Sequence, residues 1–163
     1  MSPYHTKVAA EAFAAAMFAQ AGCDVSVQYG ADQPVYDLIV ARSDHLRKVS
    51  VKGSKDGGWG LTQSYLKGAD YHAAIDAWVS RHDESILLCF VQFSGVKLGE
   101  YPRIYLASPQ EVGTILHSVR GGQGDTVLRE VYTYSRGIGA GTTNSIPPTW
   151  KFSEVRVDDL FDR

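Results

Sequence analysis

The chain has 163 residues, 44% of them hydrophobic and 21% charged, with a net charge of −2. That length suits one domain able to bury about two-thirds of its unfolded surface, and the composition excludes disordered and fibrous classes. No apolar run approaches the roughly 20 residues of a membrane span, and the slightly acidic total excludes a strongly basic coat protein while allowing a local basic surface.

The first expected element is a helix over residues 3–21, rich in alanine, with Pro3 in its first turn and Gly22 just past its end. A helical wheel puts Val8, Glu11, Ala15 and Phe18 on one side, so Glu11 interrupts an apolar face. An acid placed there is either hydrogen-bonded inside or functional. Glu11 and Gln20 also break the alanine run, which therefore does not resemble a secretory signal.

Residues 23–29 alternate apolar and polar, the pattern of a half-buried strand. Residues 30–34 read as a loop. Two strands follow, residues 36–42 and 46–52, joined by the turn Ser43-Asp44-His45. Residues 53–60 form a glycine-rich turn. Residues 69–81 suit a helix with Tyr71, Ile75, Trp78 and Val79 on its apolar stripe. The continuous apolar run of residues 86–93 predicts a central strand covered on both faces. Residues 103–107 form another strand. Ser108-Pro109-Gln110-Glu111 then supplies a cap, a proline in the first turn and an acid for a helix running to about Val119.

Beyond Arg120, glycines break every pattern and leave an irregular extension, with short strands expected around residues 128–134 and 155–157. No internal repeat or dividing linker is visible, so the expectation is one α/β domain over residues 1–163. Cys23 and Cys89 lie far apart in apolar runs. They read as structural thiols of a reducing, cytoplasmic setting.

Charge is polarised along the chain. Arg42, Arg47, Lys48, Lys52, Lys55 and Lys67 face only Asp44 and Asp56 in their stretch, whereas Glu154, Asp158, Asp159 and Asp162 make the end acidic. Within the basic stretch Lys48, Ser50 and Lys52 share one strand face. If the two strands pair through their turn, Asp37 and Lys52 lie toward the same end of the hairpin. A carboxylate there can hold Mg²⁺ or Mn²⁺ together with a backbone carbonyl and waters. Such a metal polarises phosphate and lowers the pKa of bound water, and a lysine beside it stabilises developing charge.

The run Asp37-Leu38-Ile39-Val40, a turn, then Val49-Ser50-Val51-Lys52-Gly53 resembles the core signature of PD-(D/E)xK nucleases. In that family an Asp begins the second core strand and an acid-x-Lys triplet lies on the third. The element order over residues 4–107 is similar to the family's αβββαβ core, and Glu11 matches an acid in the first helix of several members, including Holliday-junction resolvases. The resemblance implies a restriction-endonuclease-like mixed sheet flanked by helices. It implies hydrolysis of phosphodiester bonds, in DNA first, by Asp37, Ser50, Lys52 and Glu11. A metal would be held by Asp37, the Val51 carbonyl and Glu11 or Asp70. Lys48, Lys55, Gln63 and Lys67 would meet the nucleic acid, and two copies would pair to cut two strands.

Two positions depart from the pattern. Tyr36 replaces the proline, and Ser50 replaces the acid of the triplet, a hydroxyl being a poor ligand for a hard cation. Asp70 is a candidate for the displaced acid, although an acid in a helix's first turn also serves the helix dipole. If neither Asp70 nor Glu11 compensates, the resemblance implies a nucleic-acid or protein-binding module. Trp59 in the glycine-rich segment either meets a base or tucks under its turn. Gly58 is followed by Trp59 where a P-loop needs Lys-Ser/Thr, and residues 137–141 lack the helix that a nucleotide loop requires. His5, His45, His72, His82 and His117 sit on different elements and show no zinc spacing.

Overall fold

The computed structural model describes residues 1–28 and 36–163. The loop expected at residues 30–34 and the end of the first strand, Tyr29, lie outside them. The chain forms two compact units. The first comprises Met1–Asp56, Glu84–Ser108 and Pro148–Arg163; the second comprises Gly57–Asp83 and Pro109–Pro147.

In the first unit, α1 (Pro3–Gln20) opens on a capping box in which the Ser2 hydroxyl accepts from the His5 amide at 3.2 Å. It closes at Gly22, whose φ of +82° suits a residue without a Cβ. Five strands follow in mixed order: β1 (Asp24–Val27), β2 (Leu38–Arg42) and β3 (His45–Ser54), then β5 (Ile86–Gln92) and β6 (Arg103–Ala107). β1–β2, β2–β3 and β5–β6 are antiparallel, and β3–β5 is parallel. A parallel pair needs a long crossover, and the chain from β3 to β5 supplies it through the second unit. All of β5 is buried, as its unbroken apolar run requires.

The β2–β3 turn is tighter than expected. Arg42 pairs with His45, leaving Ser43 and Asp44 as a two-residue turn with Ser43 at φ +52°. β3 also runs two residues further, to Ser54.

α1 buries Thr6, Ala10, Ala14 and Phe18, a strict i, i+4 stripe, against Val49, Val51, Leu87 and Cys89. The expected face is therefore corrected: Val8 is 48% exposed, and Glu11 flanks the buried stripe instead of interrupting it. The small residues on that stripe let the helix come close to the sheet. A Cβ on Gly53 would stand 2.9 Å from the Ala10 Cβ and 3.0 Å from the Thr6 carbonyl.

The chain end is also corrected. The strand expected at residues 155–157 is the first turn of α4 (Glu154–Phe161), capped by Ser153, whose hydroxyl accepts from the Arg156 amide at 3.1 Å. Val155 is 78% exposed while Val157, Leu160 and Phe161 join the core, so the period is helical. Buried Arg156 donates from two nitrogens to the Leu106 carbonyl, at 3.1 and 3.0 Å.

The second unit holds β4 (Gly58–Gly60), a single 3₁₀ turn (Gln63–Tyr65), α2 (Tyr71–Ser80) and α3 (Pro109–Gly122). β7 (Val127–Arg129), β8 (Val131–Thr133) and β9 (Thr143–Ser145) follow. The glycine-rich segment is therefore partly strand: Trp59 pairs with Leu128 and is 3% exposed. α2 and α3 pack closely at Gly113, where a Cβ would meet the Val79 side chain at 2.6 Å.

Nor is the stretch after Arg120 unpatterned. Arg120 adopts a left-handed φ of +58° that breaks the last turn of α3, and its guanidinium covers the Tyr71 ring. Gly139 passes so near that a Cβ would lie 2.6 Å from the Arg120 carbonyl carbon. Among the described residues no helix is long and apolar enough to cross a membrane.

Candidate functional site

The site is built where β2 begins. Leu38 pairs with Val49, and one residue earlier the ladder changes character. The Asp37 amide donates to the Val49 carbonyl at 2.8 Å, and its own carbonyl accepts from Gln28 at 2.9 Å. Its carboxylate then takes the place of a main-chain acceptor: the Val51 amide donates to Asp37 Oδ2 at 2.7 Å. Asp37 is thus tied to β3 by main chain and side chain together.

Glu11 arrives from α1. Because Ala10 is pressed against Gly53, the next residue is brought beside Asp37 at the start of β2. Burial pushes the Glu11 carboxyl above its usual range, and the nearby Asp37 charge pushes it further. Lys7 opposes this weakly: its Nζ is 3.8 Å from Glu11 Oε1 and the side chain is 69% exposed. Glu11 Oε1 is buried and has no hydrogen-bond partner. Two acids sharing a place with an unsatisfied oxygen between strand and helix suit a cation.

Val51 and Ser50 flank this pair on β3. A strand residue points its N–H and C=O to the same edge, so the Val51 carbonyl faces the Asp37 side. Ser50 is 2% exposed and pairs with Leu88 on its other side. Lys52 is half-buried and pairs with Phe90. Strand alternation sends it to the face that carries Ser50, away from the face on which Gly53 meets α1.

The remaining candidates lie elsewhere. Lys48 is half-buried with its ammonium 5.3 Å from the centre of the Tyr36 ring. Exposed Lys55 donates to the Met1 carbonyl at 2.5 Å. Gln63 and Lys67 are exposed on the second unit, and so is Asp70, which is the N-cap of α2: its Oδ1 accepts from the Ala73 amide at 3.0 Å. Trp59 is too buried to stack on a base. The basic stretch is also less free than the sequence implies. Arg42 pairs with Asp158 at 2.6 Å, and Arg47 caps the end of α4 through the Phe161 and Arg163 carbonyls at 3.1 and 2.9 Å.

Among the described residues no three or more His, Cys, Asp or Glu side chains gather as a metal cluster. The donors at hand are the Asp37 and Glu11 carboxylates and the Val51 carbonyl, an all-oxygen set suited to a hard cation that keeps much of its water. Both cysteines are free and buried, and burial raises both thiols, which leaves them poor nucleophiles.

One cluster had no warning in the sequence. His72 and His117, 45 positions apart on α2 and α3, bring their Nδ1 atoms to 2.5 Å. No periodicity or spacing links residues on two helices that approach closely at Gly113. No protein-family model matches the chain, and no curated protein matches it.

Proposed function

We propose that the chain is a Mg²⁺- or Mn²⁺-dependent nuclease, hydrolysing phosphodiester bonds of nucleic acid, DNA first, on a restriction-endonuclease-like core. The observation that carries this reading is the Asp37–Glu11 acid pair, whose buried Glu11 Oε1 makes no hydrogen bond, beside the main chain of Val51. The αβββ-α-β order, interrupted only by short β4 and a 3₁₀ turn before α2, and the parallel β3–β5 pair support the fold assignment.

Asp37 and Glu11 would hold the cation with the Val51 carbonyl. Glu11 is preferred to Asp70 because Asp70 is engaged at the start of α2. When bound, the cation polarises a phosphate oxygen and makes water a better nucleophile. The Val51 amide keeps Asp37 aimed, and Lys52, on the β3 face turned away from α1, would have to reach the reacting phosphate from the other side of the strand to stabilise its charge. Lys48 and Lys55 on the first unit would contact the nucleic-acid backbone, and Gln63 and Lys67 are candidates for the same role on the second unit. Pairing of two copies would serve two strands. The two buried free thiols favour a reducing compartment such as the cytoplasm.

One observation favours a second reading. Ser50, where the resembled family carries an acid, is buried and neutral. A cation held by only two carboxylates would be bound weakly, and the domain would then bind nucleic acid without cutting it.

Incubating plasmid, single-stranded and junction DNA with Mg²⁺ or Mn²⁺ separates the two. Metal-dependent products from the wild type, absent with Asp37→Ala and Lys52→Ala, are expected. DNA binding that weakens with salt, without such products, transfers the assignment to the binding module; neither binding nor products refutes both.

A further inference from the structure

We infer that His72 and His117 form a binding site for a zinc-type transition-metal cation on the second unit. The two rings are nearly parallel, 8° apart, with centroids 4.9 Å apart. That separation is close to the Nδ1–Nδ1 distance of 2.5 Å plus the two ring radii, so the imidazoles meet edge to edge, nitrogen toward nitrogen.

Their outer nitrogens decide the chemistry. His117 Nε2 lies 2.7 Å from Asp76 Oδ1, and His72 Nε2 lies 2.9 Å from the Gly122 carbonyl oxygen. A carboxylate and a carbonyl have no hydrogen to give, so each Nε2 carries the ring's hydrogen. A neutral imidazole has only one N–H, which leaves both Nδ1 atoms as lone pairs aimed at each other. Two lone pairs at this distance repel unless something positive lies between them.

Several features favour a metal ion in that role. Each ring is oriented through its far nitrogen by an oxygen acceptor, the arrangement that fixes tautomer and basicity in metal-binding histidines. His72 is exposed and Asp76 is 72% exposed at its side chain, so water can complete the coordination. The nitrogens need to separate to about 3.3 Å, as for adjacent tetrahedral ligands with Zn–N bonds of about 2.0–2.1 Å. Rotation of two surface side chains supplies that. Imidazole nitrogen suits zinc, nickel and copper, whereas the oxygen donors at Asp37 and Glu11 suit magnesium, so the two sites select different ions.

Calorimetric titration of the full-length, untagged chain with zinc chloride at neutral pH tests this. One zinc per chain is expected. Affinity should fall at least tenfold in His72→Gln and in His117→Gln, both with unchanged circular dichroism. It should fall about tenfold in Asp76→Asn, whose role is to orient the ligand. Glu11→Gln/Asp37→Asn should bind zinc like the wild type. The inference is overturned if the wild type binds no more tightly than the histidine variants, which is also the outcome for a pair that shares only a proton. It is equally overturned if only the Glu11/Asp37 variant loses zinc.

Discussion

Replacing Asp37 separates what its carboxylate does for the fold from what its charge does for a cation. In Asp37→Ala the Val51 amide loses the acceptor it has at 2.7 Å. An unsatisfied, partly buried N–H costs about 1–3 kcal/mol. For a chain of this length each kcal/mol moves Tm by about 2–4 °C, so this variant should melt roughly 2–12 °C lower. Asp37→Asn keeps an oxygen for the Val51 amide and removes the charge that raises the Glu11 carboxyl, so without metal it should melt within about 2 °C of the wild type. Magnesium at ten times its Kd would stabilise the wild type by about 1.4 kcal/mol. That predicts an upward shift of about 3–6 °C, lost in both variants. Differential scanning fluorimetry with and without Mg²⁺ reads all of these shifts. If Asn destabilises as much as Ala, the carboxylate–amide bond is not what anchors β2. If the magnesium shift survives in Asp37→Asn, the acid pair is not the cation site.

Glu11 offers a test by pH. Its carboxyl is raised in the folded chain, so the folded state holds that proton more tightly than the unfolded one. The stability this contributes is present below the unfolded pKa and lost as pH rises through the folded one. Metal-free Glu11→Gln should therefore gain on the wild type as pH climbs from the acidic side to neutral; a difference in urea midpoint that does not change with pH would contradict this. Gly53→Ala pushes a methyl into Ala10 and the Thr6 carbonyl and should cost about 1–3 kcal/mol, seen as a lower melting temperature; an unchanged Tm would mean that α1 does not need this approach. Arg156→Ala removes two donors from the Leu106 carbonyl and should cost about 1.5–3 kcal/mol by chemical denaturation. A neutral result would make α4 an appendage. Lys52→Ala should lower cleavage by at least about a hundredfold while leaving DNA affinity nearly unchanged; parallel losses of both would assign Lys52 to binding alone.

Local chemistry set several elements without help from the rest of the chain. Alanine content, a serine cap and Gly22 define α1 to within a residue of its expected end. An unbroken apolar run defines β5, and Pro109 with Glu111 marks the start of α3. The order α-β-β-β-α-β was legible for the same reason apart from the short strand β4 between β3 and α2, which the glycine-rich segment did not announce. Asp37 was also legible, as an acid at a strand start.

What the tertiary structure alone decided rests on partners distant in sequence. The buried stripe of α1 meets β3 closely at Gly53, where small residues of helix and strand touch, and Glu11 on the next position of α1 lies beside Asp37. Residues 155–157 alternate like a strand, yet burial of Val157, Leu160 and Phe161 against the sheet makes them helical, tertiary packing overriding a short and ambiguous pattern. Arg47 looked like part of a free basic surface until the chain end, more than a hundred positions away, supplied its acceptors. The histidine pair belongs to the same class: composition places two histidines on two helices, and only helix packing brings their nitrogens face to face.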